Sequence, residues 1–167
     1  RLVPKLGYLD WLRWSPDGRS LLVGGSSDTR NSSGVYRVDA QTGDLSPIVL
    51  AASEAPNGLQ AVWSADGEAI FYIHEGLDGS YSIRFRDLES GQERSLYQAA
   101  PSLRLNNLAL SPDGRRLAFG LSRGHSVQAG VLLVMPAAGG PPRELLRLKR
   151  AGLSGVAWAR DGSQLLF

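Results

Sequence analysis

No cysteine occurs in the 167 residues, which excludes disulfides and thiolate metal sites. That absence suits a reducing or an oxidising compartment equally. Histidine is scarce too, with only His74 and His125 available for acid–base or metal chemistry. Lysine stands only at Lys5 and Lys149, so arginine carries the basic charge. Lys and Arg number 18 against 16 Asp and Glu, a net charge of +2. The basic residues are dispersed, whereas nucleic-acid surfaces gather them on one face. No apolar run nears the roughly 18 residues that cross a bilayer as a helix. No leader of the secretory pattern opens the chain, which starts at Arg1 without a methionine; a longer parent is expected.

What the chain has is punctuation, with 20 glycines and 9 prolines. Much of it recurs. Ser15-Pro16-Asp17-Gly18 returns as Ser64-Ala65-Asp66-Gly67, as Ser111-Pro112-Asp113-Gly114 and as Ala159-Arg160-Asp161-Gly162. The aspartates lie 49, 47 and 48 residues apart. Three residues before each stands Trp14, Trp63, Leu110 or Trp158. Apolar runs follow: Leu21-Leu22-Val23, Ile70-Phe71-Tyr72-Ile73, Leu117-Ala118-Phe119 and Leu165-Leu166-Phe167. A second signature keeps the same period, in Val35–Asp39, Ile83–Asp87 and Val131–Met135. Each is followed by a glycine turn and a short apolar segment near Ile48, Leu96 or Leu146.

The chemistry of these segments is that of strands and tight turns. In Ser-Pro-Asp-Gly, Ser bonds back to the backbone, Pro presets φ, and Gly takes the left-handed position. The flanking runs are rich in β-branched and aromatic residues. Arg143 to Lys149, the best helical candidate, follows Pro141-Pro142 and falls where the repeat demands a strand. Four strands per repeat of about 48 residues make the blade of a β-propeller. A meander or sandwich with regular turns is the alternative. Four turns in register, with a second motif in phase, argue against it.

The wording Trp/Leu-Ser-Pro-Asp-Gly-Arg resembles the TolB-like, WD40-like repeat. The Trp-Asp pair of true WD40 is missing, and Gly-His occurs only once, at Gly124-His125. The resemblance covers essentially the whole chain. It implies an all-β propeller of four-stranded antiparallel blades whose parent ring has six. Arg1 to Lys5 reads as the last strand of a preceding blade. Three blades follow at 6–50, 51–99 and 100–149, and 150–167 supplies the first two strands of another. Missing blades or a second chain are expected to complete the ring. Terminal blades of an open stack leave apolar faces uncovered, here near Trp14 and Phe167.

Strand order places the Ser-Pro-Asp-Gly and Asp-x-x-x-Gly turns on one face, where they are short and structural: Asp17, Gly18, Asp66, Gly67, Asp113, Gly114, Asp161 and Gly162. The opposite face carries loops of varied content, and such loops on a rigid scaffold commonly bind. Candidate partner-binding residues there are Asp28, Arg30 and Asn31, then His74, Glu75 and Asp78, then Arg123, His125 and Gln128. The connections between blades add Glu54, Asn57, Arg104, Asn106 and Asn107.

No catalytic constellation emerges. Gly124-His125-Ser126-Val127-Gln128 begins like a nucleophile elbow but lacks its last glycine. His74 and His125 occupy equivalent loops of adjacent blades, without the tight spacing of a metal site. No phosphate-cradling glycine motif and no EF-hand loop is present, and no cofactor is expected. The expected function is a non-catalytic scaffold for a protein partner, with no nucleic acid and no membrane span. The resemblance to TolB implies a bacterial, periplasmic or extracytoplasmic setting. The alternative is the substrate-gating propeller of a prolyl-oligopeptidase-type serine peptidase, with its triad outside this segment.

Overall fold

The structure is a computed structural model that describes residues 6–27, 33–51, 59–123, 130–149 and 152–167. Among them no helix occurs. The first sheet comprises β1 (Leu6–Trp14), β2 (Ser20–Ser27), β3 (Ser33–Asp39) and β4 (Leu45–Leu50). The second comprises β5 (Ala61–Trp63), β6 (Ala69–Glu75), β7 (Tyr81–Asp87) and β8 (Glu93–Gln98). The third comprises β9 (Leu103–Leu110), β10 (Arg116–Arg123), β11 (Gly130–Pro136) and β12 (Arg143–Leu148). A two-stranded fourth sheet joins β13 (Ala157–Trp158) and β14 (Leu165–Leu166). In each four-stranded sheet the strands pair in chain order, all antiparallel. The segment Arg143–Leu148 is thus a strand, as the repeat requires.

The turns show why the motif recurs. Gly18, Gly67, Gly114 and Gly162 all have φ between 69° and 78°. Only glycine adopts that region without strain. Ser15 Oγ donates to the Asp17 carboxylate at 2.6 Å and accepts from Ser20 N at 2.9 Å. Ser64 and Ser111 repeat this pattern with Asp66 and Asp113. Ala159 has no hydroxyl, and Ser163 donates to Asp161 from the other side of that turn. The two kinds of turn share a face, because Ala40 N bonds Arg19 O, Leu88 N bonds Glu68 O and Ala137 N bonds Arg115 O. The turns also stack from sheet to sheet. A Cβ on Gly67 would lie 3.3 Å from Pro16, and one on Gly162 would lie 3.7 Å from Pro112.

These bonds favour the carboxylate form. Asp17, Asp66 and Asp113 are held below the usual carboxylate range, chiefly by the serine hydroxyl of their own turn. Asp161 is held low chiefly by Ser163 N. A carboxyl depressed by folding stabilises the fold above its unfolded pKa and loses that contribution as pH falls through the folded value. Thermal midpoints should therefore be flat above about pH 5 and fall below about pH 4. The variant D17N/D66N/D113N should flatten that acid limb. A variant and parent with the same acid slope would disprove the assignment.

The core lies between sheets rather than within one. In β6, Ile70 and Tyr72 pack toward the first sheet with Leu22, Val35 and Trp63. Phe71 and Ile73 pack the other way, with Leu117, Phe119 and Met135 of the third sheet. Ala118, Leu132 and Ala109 face Val156, Trp158 and Leu165. Strands β6 and β10 are buried on both faces over most of their length, so their sequences are continuous apolar runs instead of alternations.

Every seam is also clamped by hydrogen bonds at both ends. At the turn end, Trp63 Nε1 donates to Arg13 O at 3.3 Å, Arg94 Nη1 to Ala138 O at 3.0 Å and Trp158 Nε1 to Ala109 O at 3.4 Å. At the other end, Trp11 Nε1 donates to Leu59 O at 3.0 Å, Gln60 Oε1 accepts from Leu108 N at 3.3 Å, and Asn107 Nδ2 donates to Leu153 O at 2.9 Å.

Several residues expected in loops sit in strands. His74 and Glu75 end β6, and Arg123 ends β10. Arg104, Asn106 and Asn107, expected in a connection, lie within β9. The sheets run on through Gly24, Gly25 and Gly120 because those glycines admit a neighbour where a Cβ would stand. In β9 the left-handed Asn107, φ 56°, absorbs a register shift and lets pairing resume at Asn106.

Candidate functional site

The ends of the inner strands β1, β5, β9 and β13 converge on the turn face. Between them is a groove of about 470 Å³. Its walls include the recurring residues Trp14, Trp63, Leu110 and Trp158, with Arg13 and Val62 beside them. Trp63 is fixed by its bond to Arg13 O, and Trp158 lies under the Arg116 guanidinium, 4.5 Å from the ring centroid. Two of the three aromatic walls are therefore held in place, while Trp14 is exposed. Arg13 forms no ion pair among the described residues. Surrounding protein pulls its pKa below the ordinary arginine value, though a guanidinium stays protonated at neutral pH. The groove thus offers aromatic surface and one uncompensated cation, a combination suited to a ligand with an apolar side chain next to an acceptor or anion.

Sequence reading treated this face as structural only. The signal was present in the residues that precede the motif aspartates, because equal repeats around an axis bring equal positions together.

The opposite face holds the residues expected to bind. At the seam between the second and third sheets, Arg104 Nη2 lies 3.9 Å from Glu75 Oε1, and its guanidinium is 5.5 Å from the Tyr81 ring centroid. Tyr81 Oη is buried without a hydrogen-bond partner among the described residues. Burial, and then the Glu75 carboxylate, push its pKa up to about 12, so it stays protonated. His74 meets the Tyr72 ring edge-on at 6.5 Å. Burial, and then Arg84, lower its pKa, so it is neutral at pH 7. Asp78 closes the tip of the β6–β7 hairpin by accepting from Ser80 N at 3.0 Å, and Leu77 beside it is exposed.

Asn106 and Asn107 are committed to the fold. Asn107 Nδ2 donates to Asn106 Oδ1 at 2.9 Å as well as to Leu153 O, and Asn106 Nδ2 donates to Ser122 Oγ at 3.3 Å. Arg123 pairs with Leu103 at the sheet edge. Asp28, Arg30, Asn31, Glu54, Asn57, His125 and Gln128 lie outside the described residues, as does the segment Arg1 to Lys5. Among the described residues no three His, Asp or Glu side chains gather as a metal-holding group.

No family model matches the chain, and no curated protein matches it by sequence. Solved structures do. A putative TolB from Agrobacterium tumefaciens superposes with a TM-score of 0.73 at 18% identity, over 92% of this chain and 55% of that one. A chain of a nidogen–laminin complex gives 0.72 at 14% identity, over 94% and 55%. A prolyl endopeptidase gives 0.63 at 18% identity, over 90% and 23%. This chain spans about half or less of each. Three consecutive four-stranded antiparallel sheets and a following hairpin, stacked face to face about their inner strands, have the fold of a TolB-like β-propeller.

Proposed function

We propose that this run of blades is a non-catalytic scaffold that binds a protein partner. The observation that carries the reading is the Trp-walled groove with Arg13, which has no ion-pair partner among the described residues. Aromatic anchors and arginine dominate the energetics of protein recognition. The groove is small: a single helical turn, about 5.4 Å high and 10–12 Å wide, fills about 420–610 Å³. It therefore takes a short segment of a partner, about one helical turn or less. His74, Glu75, Asp78, Arg104 and Arg123 on the opposite face form a second contact surface of the same scaffold. The nidogen–laminin likeness supports a role in protein assembly.

The test is a peptide-display selection on the folded chain, with affinities read from tryptophan fluorescence. Selected peptides should carry an acidic group beside an aromatic or aliphatic residue. R13Q should weaken them by about tenfold or more, the scale of one charge-assisted hydrogen bond. Failure to select any peptide, or equal affinity for R13Q, rejects the groove as the site.

The second reading is a substrate-gating propeller of a prolyl-oligopeptidase-type serine peptidase, and the prolyl endopeptidase likeness favours it. A Gly-x-Ser-x-Gly elbow with Asp and His in the parent sequence downstream selects this reading over the first.

A further inference from the structure

At the turn face, the first and last seams are closed in the same way. Trp63 Nε1 of the second sheet donates to Arg13 O of the first, and Trp158 Nε1 of the fourth donates to Ala109 O of the third. The register makes Val62 O the counterpart acceptor at the middle seam and position 110 the counterpart donor. Arg13, Val62 and Ala109 pair with Leu22, Phe71 and Ala118. Two residues on, the amides of Ser15, Ser64 and Ser111 bond across the same strand pairs. Each of the three carbonyls therefore gives one lone pair to the ladder and keeps the other. The indoles use that second lone pair at the first and last seams. At the middle seam position 110 is leucine, where the other blades carry Trp14, Trp63 and Trp158. No side chain donates to Val62 O among the described residues. The clamp there runs instead from the outer strand β8, through Arg94 to Ala138 O.

Val62 and half-buried Leu110 both line the groove, as does Arg13. The groove therefore holds a carbonyl placed to accept an indole, and a leucine where the larger ring that would supply it stands in the neighbouring blades. Building on the reading of this groove as a site for a protein segment, we infer that the segment brings a tryptophan to the middle seam. Its ring packs on Leu110, its Nε1–H donates to Val62 O, and its acidic neighbour meets Arg13. A buried indole needs an acceptor for its N–H, and tryptophan is among the residues that dominate recognition energetics. A phenyl or aliphatic side chain fills the same space with no proton for that carbonyl, so the seam selects the indole.

The probe is a set of acetylated, amidated peptides that carry an aspartate and a test residue, joined directly or through glycine, and titrated calorimetrically into the folded chain. The tryptophan peptide should bind about two- to tenfold more tightly than its benzothiophene counterpart, which keeps the ring shape without the N–H. L110W closes the seam with the chain's own indole and should abolish that difference. R13Q should weaken both peptides alike and leave the difference standing. Equal affinity of the two peptides overturns the inference, and so does a preference that survives in folded L110W. If circular dichroism shows L110W unfolded, the two peptides on the parent chain decide alone. Those failures leave the groove itself as a binding site, whereas a set in which no peptide binds rejects the groove and this inference together.

Discussion

Replacing Gly24 with alanine should lower the thermal midpoint by about 1–16 °C. Gly24 lies in β2 directly under Trp11, and a Cβ there would stand 2.3 Å from Nε1 and 2.4 Å from Cε2 of the indole. No rotation of alanine relieves that overlap, so the indole must leave. When it leaves, the bond from Trp11 Nε1 to Leu59 O is lost, and with it one of the two clamps between the first two blades. Overpacking of this kind costs about 1–3 kcal/mol, and the lost bond adds about 0.5–1.5 kcal/mol. Against this, alanine reduces the entropy of the unfolded chain by about 0.4–1 kcal/mol. The clash wins. At about 2–4 °C per kcal/mol for a domain of this size, the shift is easily read in a melt. The control is W11A. In that background G24A should cost nothing, because the ring that it displaces is gone. A midpoint unchanged by G24A alone would show that Trp11 does not lie over Gly24.

Gly24 also marks where the sequence stopped being informative. The turn motif is legible because each of its residues has one local task. Ser bonds Asp, Asp bonds the amide two residues on, and Gly takes positive φ. Local tasks leave fixed letters, so four blades could be counted from the aspartates alone. The clamps at the other end of the seams do one job with three different residues, Trp11, Gln60 and Asn107. No shared letter records them. Nothing local explains the glycines at 24, 25 and 120 either, since the atom occupying the Cβ position comes from another strand. The groove was missed differently. Its residues belong to the motif, but their convergence follows from the ring geometry and not from any one repeat. Glu75 and Arg104 were singled out as loop residues, and the seam between two blades brings them together.

Phe119→Ala should cost about 3–5 kcal/mol, against a total stability of about 5–15 kcal/mol for a domain. Phe119 is fully buried at the middle seam, with its ring 5.3 Å from Tyr97 of the second blade and Leu108, Leu117 and Leu133 around it. Each blade touches only its neighbours, so stability is close to a sum of blade terms and seam terms. A cavity in the middle seam therefore does more than lower the midpoint. It uncouples the blades before it from those after it, and unfolding should separate into two transitions. The calorimetric enthalpy should then exceed the van't Hoff value. Leu22→Ala is the comparison. It empties a fully buried site at the first seam, at a cost of about 2–5 kcal/mol, and detaches only the first blade. Hydrogen exchange should accordingly rise in β1–β4 alone for L22A, but on both sides of the middle seam for F119A. If both variants melt in one transition with equal enthalpies, coupling across the stack exceeds any single seam, and the additive picture fails.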